Sequence, residues 1–153
     1  MKKYELTAEF IEKWGKKLFR IKALISFGSV EAGELGGYVE KEDNLAQNGN
    51  AWVYGNAEVC GDARVCGNAD YLLIGRIGSR FSFTTFFKNK DKGITVSCGC
   101  FLGTIAEFRA KVTDTHGNNK HAKIYNLAAD MAELQILGEE HFDKLNTNKS
   151  EPF

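Results

Sequence analysis

The chain has 153 residues, 43% of them hydrophobic, and its 20 basic and 20 acidic side chains cancel. That length suits one core of ordinary size, and the zero net charge removes any general pull toward nucleic acid or an anionic membrane. No stretch approaches the roughly 20 apolar residues of a membrane span, and Met-Lys-Lys-Tyr-Glu runs into a polar pattern instead of a signal-peptide core, so a cytoplasmic protein is expected.

The charge is segregated even though it sums to zero. Residues 1–22 carry seven basic and three acidic side chains, 30–71 two and eight, 72–126 nine and three, and 127–153 two and six. Such alternation suggests complementary surfaces, within the molecule or between copies of it. The four cysteines, Cys60, Cys66, Cys98 and Cys100, read as reduced thiols in a chain with no secretory signal.

In chain order, LTAEFIEKWG predicts a helix that begins at Thr7 as N-cap and turns Phe10, Ile11 and Trp14 to one face. Phe19, Ile21, Ala23, Ile25 and Phe27 then alternate as a strand does. Residues 1–35 are read as a helix-strand cap, and Gly33, Gly36 and Gly37 punctuate its end.

From Asn48 the sequence falls into sixes: NGNAWV, YGNAEV, CGDARV, CGNADY, with weaker copies on both sides. Small and aliphatic residues two apart point to the same side of a short strand, and Gly followed by Asn or Asp supplies a corner. Repeated, this resembles the left-handed parallel β-helix of hexapeptide-repeat proteins, three hexads to a turn. The expectation is a mainly β protein with such a coil over residues 36–83. Residue i would stack on i+18: Asn50 on Asn68, Ala51 on Ala69, Val53 on Tyr71. A coil so short needs caps.

Behind it, Phe81, Phe83, Thr85 and Phe87 alternate, KNKDKG turns, and Ile94, Val96, Cys98 and Cys100 alternate again, which predicts a β-hairpin. Thr104 with Glu107 forms a capping box for a helix that places Ile105, Phe108 and Val112 on one face and ends at HGNN, 116–119. A last helix over roughly 120–137 has Ile124, Leu127, Met131 and Leu134 as its apolar face and stops at Gly138. Residues 84–138 thus form a C-terminal hairpin with two helices, and 139–153 read as a flexible tail.

With these pieces placed, residues 18 to 117 resemble a family of small proteins common in phages and prophages of gut and other low-GC bacteria. The likeness rests on IKALISFGSVEAGELGGYVEKEDNLAQNGNAWVYGNA at the front and on IGSRFSFTTFF, CGCFLGTIAEF and HG at the back. Members tend to carry a hexapeptide-repeat or transferase-like label, so the resemblance implies the coil and a phage setting more than a reaction.

The coil holds no histidine to serve as the general base of an acyltransferase; His116, His121 and His141 all lie in the helical region. His116 and His121 have a spacing similar to that of metal ligands in trimeric carbonic anhydrases, but zinc needs three or four converging donors. Cys98 and Cys100 would share one face of a strand, where a free thiol packs as a small hydrophobe. The strip of residues 76–92 interleaves Arg76, Arg80, Lys88, Lys90 and Lys92 with Phe81, Phe83, Phe86 and Phe87, a pattern that suits a phosphate or nucleotide by charge and stacking. Arg76, Arg80, Phe81 and Lys88 are the candidate ligand-binding residues. Trp52, in an outward position of its hexad, and Tyr54 are candidate subunit contacts.

No catalytic residue, metal or cofactor, no membrane association and no sequence-specific DNA binding is expected. The expectation is a non-catalytic phage- or prophage-encoded binding protein, assembled as a trimer or dimer, that engages a host protein or sequesters a small anionic signal. A hexapeptide-repeat acyltransferase and a structural oligomerisation module are the alternatives.

Overall fold

The computed structural model describes residues 1–149 and contains two four-stranded sheets, one mixed and one antiparallel, with helices on the outer face of the second. The first sheet runs β1 (Tyr4–Lys13), β2 (Lys16–Ala23), β3 (Leu35–Val39) and β4 (Glu58–Val59). The expected N-terminal helix is therefore strand β1, antiparallel to β2. Trp14 (φ 53°) and Gly15 (φ 72°) join them, both in the left-handed region, as a two-residue hairpin turn of the primed kind requires. Thr7 caps no helix: its hydroxyl donates to the Arg20 carbonyl at 2.8 Å and accepts the Glu9 N–H at 3.3 Å. There the ladder shifts register between Leu6 and Phe10. The core-facing residues change from Tyr4 and Leu6 to Ile11, and this break in the period of two made the strand resemble a helix.

No left-handed β-helix forms among the described residues, nor any other solenoid. Parallel pairing is confined to Tyr38 with Glu58, Val39 with Val59, and one isolated bridge from Leu45 to Val65. These partners lie twenty residues apart, not eighteen, and the other edge of β3 is taken by antiparallel β2. The hexads do set local geometry. Gly55 (φ 56°) and Gly61 (φ 64°) make left-handed corners, and the pairs Ala51 and Val53, Ala57 and Val59, Ala63 and Val65 are all buried. Inward side chains two apart and a glycine corner specify a short extended segment with a bend, whichever strand comes to pair with it.

The fourth hexad ends the run. It forms a 3-10 turn at Asn68–Asp70, where Asp70 accepts the N–H groups of Cys66 and Gly67, and Ala69 is exposed instead of stacking on Ala51. Asn68 accepts the Trp52 N–H at 2.9 Å, and the Tyr71 hydroxyl accepts the Tyr54 N–H at 3.2 Å.

Trp52 does not face outward. It is fully buried, edge-on to Phe27 (5.4 Å between centroids) and Tyr4 (6.3 Å), because residues 51–53 are covered on both sides. Gly36 makes room for it: a Cβ there would stand 2.8 Å from Trp52 Cζ2 and 2.6 Å from the Val53 carbonyl. Above the same loop, the buried Lys3 ammonium donates to the Ala51 carbonyl at 2.8 Å and lies over the Phe27 ring. Asn44, fully buried, ties neighbouring passes of the chain, accepting from the backbone of Glu40 and Lys41 and donating to the carbonyls of Gly61 and Ala63.

The second sheet is β5 (Tyr71–Ile77), β6 (Ser82–Lys88), β7 (Ile94–Cys98) and β8 (Phe101–Thr104), all antiparallel and in chain order. The expected hairpin is present as β6–β7, while the last two weak hexads are β5, the turn after it and the start of β6. Thr84 to Phe87 are buried in succession because both faces of the sheet are covered. Phe87 joins the first core, and Phe86 packs edge-on against Phe108 of the helical layer at 5.7 Å. Glu58 joins the sheets through its N–H to Thr85 Oγ1 (3.1 Å) and its carbonyl, which accepts from Ser97 Oγ (3.0 Å). Trp14 Nε1 also reaches across to the Cys100 carbonyl at 2.8 Å.

Helix α1 (Ile105–His116) starts with the expected Thr104–Glu107 capping box. After Gly117, Asn119 caps α2 (Lys120–Ala132), which continues as a π-helical turn, Glu133–Leu137, and stops at Gly138 (φ 94°). Its inward face is not the expected one. Ala122, Ala128, Ala129, Ala132 and Ile136 are buried, while Leu127, Met131 and Leu134 are exposed, since alanines let the helix approach the sheet closely. The segment expected as a tail carries α3 (Glu139–Lys149); residues 150–153 lie outside the described ones. Among the described residues no helix is long and apolar enough to cross a membrane.

Candidate functional site

Between the helical layer and one end of the second sheet lies a cavity of about 430 Å³, within the size range of small-ligand sites. Four pieces of chain form it: the β5–β6 turn (Ser79, Arg80), the β7–β8 turn (Cys98 to Phe101), the last two turns of α1 (Lys111, Val112, Thr115, His116) and Tyr125 of α2. Phe108 closes the floor.

Each turn is set locally. Gly78 (φ 84°) accepts the Phe81 N–H at 3.1 Å, which folds Ser79 and Arg80 out over the cavity. Gly99 (φ 57°) and Cys100 form the two-residue connection between the paired residues Cys98 and Phe101. Cys98 and Cys100 therefore do not share a strand face as expected: Cys98 is half-buried at the strand end and Cys100 is exposed in the turn, though both line the cavity. All four cysteines are free thiols.

One wall is a run of rings. Phe101 lies 5.8 Å from Phe108, Phe108 5.6 Å from Tyr125, and Tyr125 is stacked on His116 at 5.8 Å; His121 follows His116 at 5.4 Å. Burial, with Cys98 beside it, pushes the Tyr125 hydroxyl up to about 12, so it remains protonated at neutral pH. Cys98 Sγ accepts from Thr84 Oγ1 at 3.2 Å and contacts the Tyr125 hydroxyl at 4.0 Å, which fixes both groups.

Arg80, Lys111 and His116 are the basic residues of the lining, and no Asp or Glu stands among the described residues that form it. The carbonyl end of α1 points toward the same region and contributes about half a negative charge. The basic side chains of Arg80 and Lys111 outweigh it, so the cavity favours an anion. Ser79, Ser82 and Thr115 add hydroxyls, and the rings offer a flat apolar surface. The arrangement can hold a small molecule by charge at the mouth and stacking along the wall.

Of the four candidate ligand-binding residues, Arg80 alone is among the described residues that line this cavity; His116, Cys98 and Cys100, weighed for other chemistry, line it too. Arg76 lies beside it on the surface, its guanidinium 5.8 Å from the ring of exposed Phe81. Lys88 stands at the opposite end of β6, 3.8 Å from Asp70, and takes no part. The interleaved strip is not one surface, because Phe86 and Phe87 point into the two cores. Tyr54 is exposed at 40% on the first sheet's side, with its hydroxyl 3.1 Å from Ser29 Oγ. Sequence patterning does not find Lys111, Thr115 or Tyr125. The faint signal is Lys111 and Thr115 four apart on a predicted helix, with nothing to say that the Gly78–Phe81 turn would lie opposite.

Among the described residues no group of three or more His, Cys, Asp or Glu is placed to hold a metal ion. A second cavity, about 280 Å³ between the sheets, is occupied at its wall by the Lys13–Glu58 ion pair at 2.9 Å, so its charges are already matched. The chain matches no family model, and it matches no curated protein.

Proposed function

We propose that the protein is a non-catalytic binding protein that sequesters a small anionic molecule with a planar, aromatic portion, such as a nucleotide, in the cavity between the Gly78–Phe81 turn, the Cys98–Phe101 turn, α1 and α2. One observation carries this reading: Arg80, Lys111 and His116 converge on a ring-lined cavity with no carboxylate among the described residues that form it. Charge-assisted contacts from Arg80 and Lys111 would hold the anionic group, and stacking on Tyr125 and His116 the planar one. The proposed setting, a phage or prophage protein that removes a host signal and so blunts a defence, rests on the resemblance of residues 18–117 alone.

The test is capture of the ligand itself. Purified protein is passed through host lysate, washed and heat-denatured, and the released small molecules are identified by mass spectrometry, beside the double variant Arg80→Ala, Lys111→Ala. The expected result is an anionic aromatic compound enriched on the wild type and absent from the variant. Equal recovery on both baits contradicts the assignment, as does the absence of any such compound.

A further inference from the structure

Helix α2 is apolar on two opposite sides. One side carries the buried alanines; the other carries Leu127, Met131 and Leu134, exposed at 65%, 48% and 44%, with half-buried Ile124 in line. These four recur at the three- and four-residue spacing that keeps side chains on one face. An exposed row of large apolar side chains on a helix whose other apolar side is already packed marks a face built for a partner.

We infer that this face pairs with its own copy: two chains associate about a two-fold axis through antiparallel α2 helices. The charges flanking the stripe select that occupant. Lys120 and Lys123 are exposed at its start, Glu139 and Glu140 just beyond its end. In an antiparallel pair centred between Leu127 and Met131, Leu127 of one copy meets Met131 of the other, Ile124 meets Leu134, and Lys120 falls opposite the Gly138 turn of the second copy, which Glu139 and Glu140 follow. Both ends are then charge-matched, and the helix dipoles oppose. A parallel arrangement would bring lysine onto lysine and glutamate onto glutamate. The α2 helix of 13 residues is only about 20 Å long, so this face alone is smaller than the roughly 800 Å² per partner of a standard interface, and the dimer should depend on concentration. The pairing goes beyond the ligand reading and does not depend on it.

Sedimentation over a concentration series tests it. The wild type should pass from monomer to dimer, and Leu127→Lys with Met131→Lys should stay monomeric with an unchanged circular dichroism spectrum, both side chains being exposed. Lys120→Glu alone should weaken association at least threefold, and adding Glu139→Lys should restore it; these two surface changes keep the test alive if the double lysine variant fails to fold. A wild type that stays monomeric throughout overturns the inference. So does a dimer that survives the lysine substitutions in folded protein, or a monomer that uses Leu127 to bind phosphatidylcholine vesicles instead.

Discussion

The Tyr125 hydroxyl fills the space that a side chain on Gly78 would need: a Cβ at residue 78 would stand 2.6 Å from Tyr125 Cζ and closer still to its oxygen. This contact locks the β5–β6 turn, which carries Arg80, onto α2. Gly78 is also left-handed (φ 84°), so Gly78→Ala meets backbone strain and overpacking together. It should lower stability by about 2–4 kcal/mol in denaturant unfolding. Adding Tyr125→Ala should recover part of the loss, making the two changes clearly non-additive.

Trp52 and Leu127 should respond very differently despite their similar hydrophobicity. Trp52→Ala removes a fully buried ring at the centre of the first core and should cost about 3–5 kcal/mol. Leu127→Ala, at an exposed position, should change monomer stability by no more than about 0.5 kcal/mol. Thermal unfolding at low protein concentration checks both.

Arg109 holds α1 to α2. It contacts Asp130 at 2.7 Å, Asn126 Oδ1 at 3.0 Å and the buried carboxylate of Glu133. Arg109→Ala leaves Glu133 without its partner and should cost about 2–3 kcal/mol, below the full penalty for a buried pair because the arginine is partly solvated. Adding Glu133→Gln should return much of that loss, again read by denaturant unfolding.

Stability should fall in alkali. Burial pushes Cys60 from 9.0 to about 11, and Tyr71 and Tyr125 from 10.0 to about 12; Tyr4 is raised as well. An acid whose pKa is raised in the fold contributes stability that is intact below its unfolded value and is lost as pH climbs through the folded one. Loss should therefore begin above pH 9 with Cys60 and steepen above pH 10 with the tyrosines. Lys3 opposes this, since its pKa lies below 10.5 in the fold and its desolvation cost disappears as the unfolded chain also becomes neutral. Melting temperatures from pH 7 to 11 should decline, and Cys60→Ala should flatten the first part of the decline.

Local signals survive into the fold wherever one element decides its own geometry. The Thr104–Glu107 box, the Asn119 turn, the Gly138 stop and the β6–β7 hairpin all form as the residues predict. What the sequence could not carry was pairing across distance. The hexads correctly mark Ala57, Val59, Ala63 and Val65 as inward, yet the partner of β3 is β2 on one edge, and only two residues of β4 on the other. A bulge near Thr7 hides the first strand, and the alanine face of α2 loses to its leucines in any count of hydrophobicity. The cavity is the least legible feature. The basic and aromatic strip points to Arg80, but Lys111, His116 and Tyr125 join it only through the docking of two helices on a sheet.

Calorimetric titration of the wild type, Arg80→Ala and Lys111→Ala with a panel of nucleoside monophosphates tests the central claim most directly. Saturable one-to-one binding of at least one panel member is expected. Its dissociation constant should rise about tenfold or more in each variant, as loss of a charge-assisted contact implies, with the fold intact and affinity falling as salt increases. No saturable binding by any member, or unchanged constants in both variants, would contradict it.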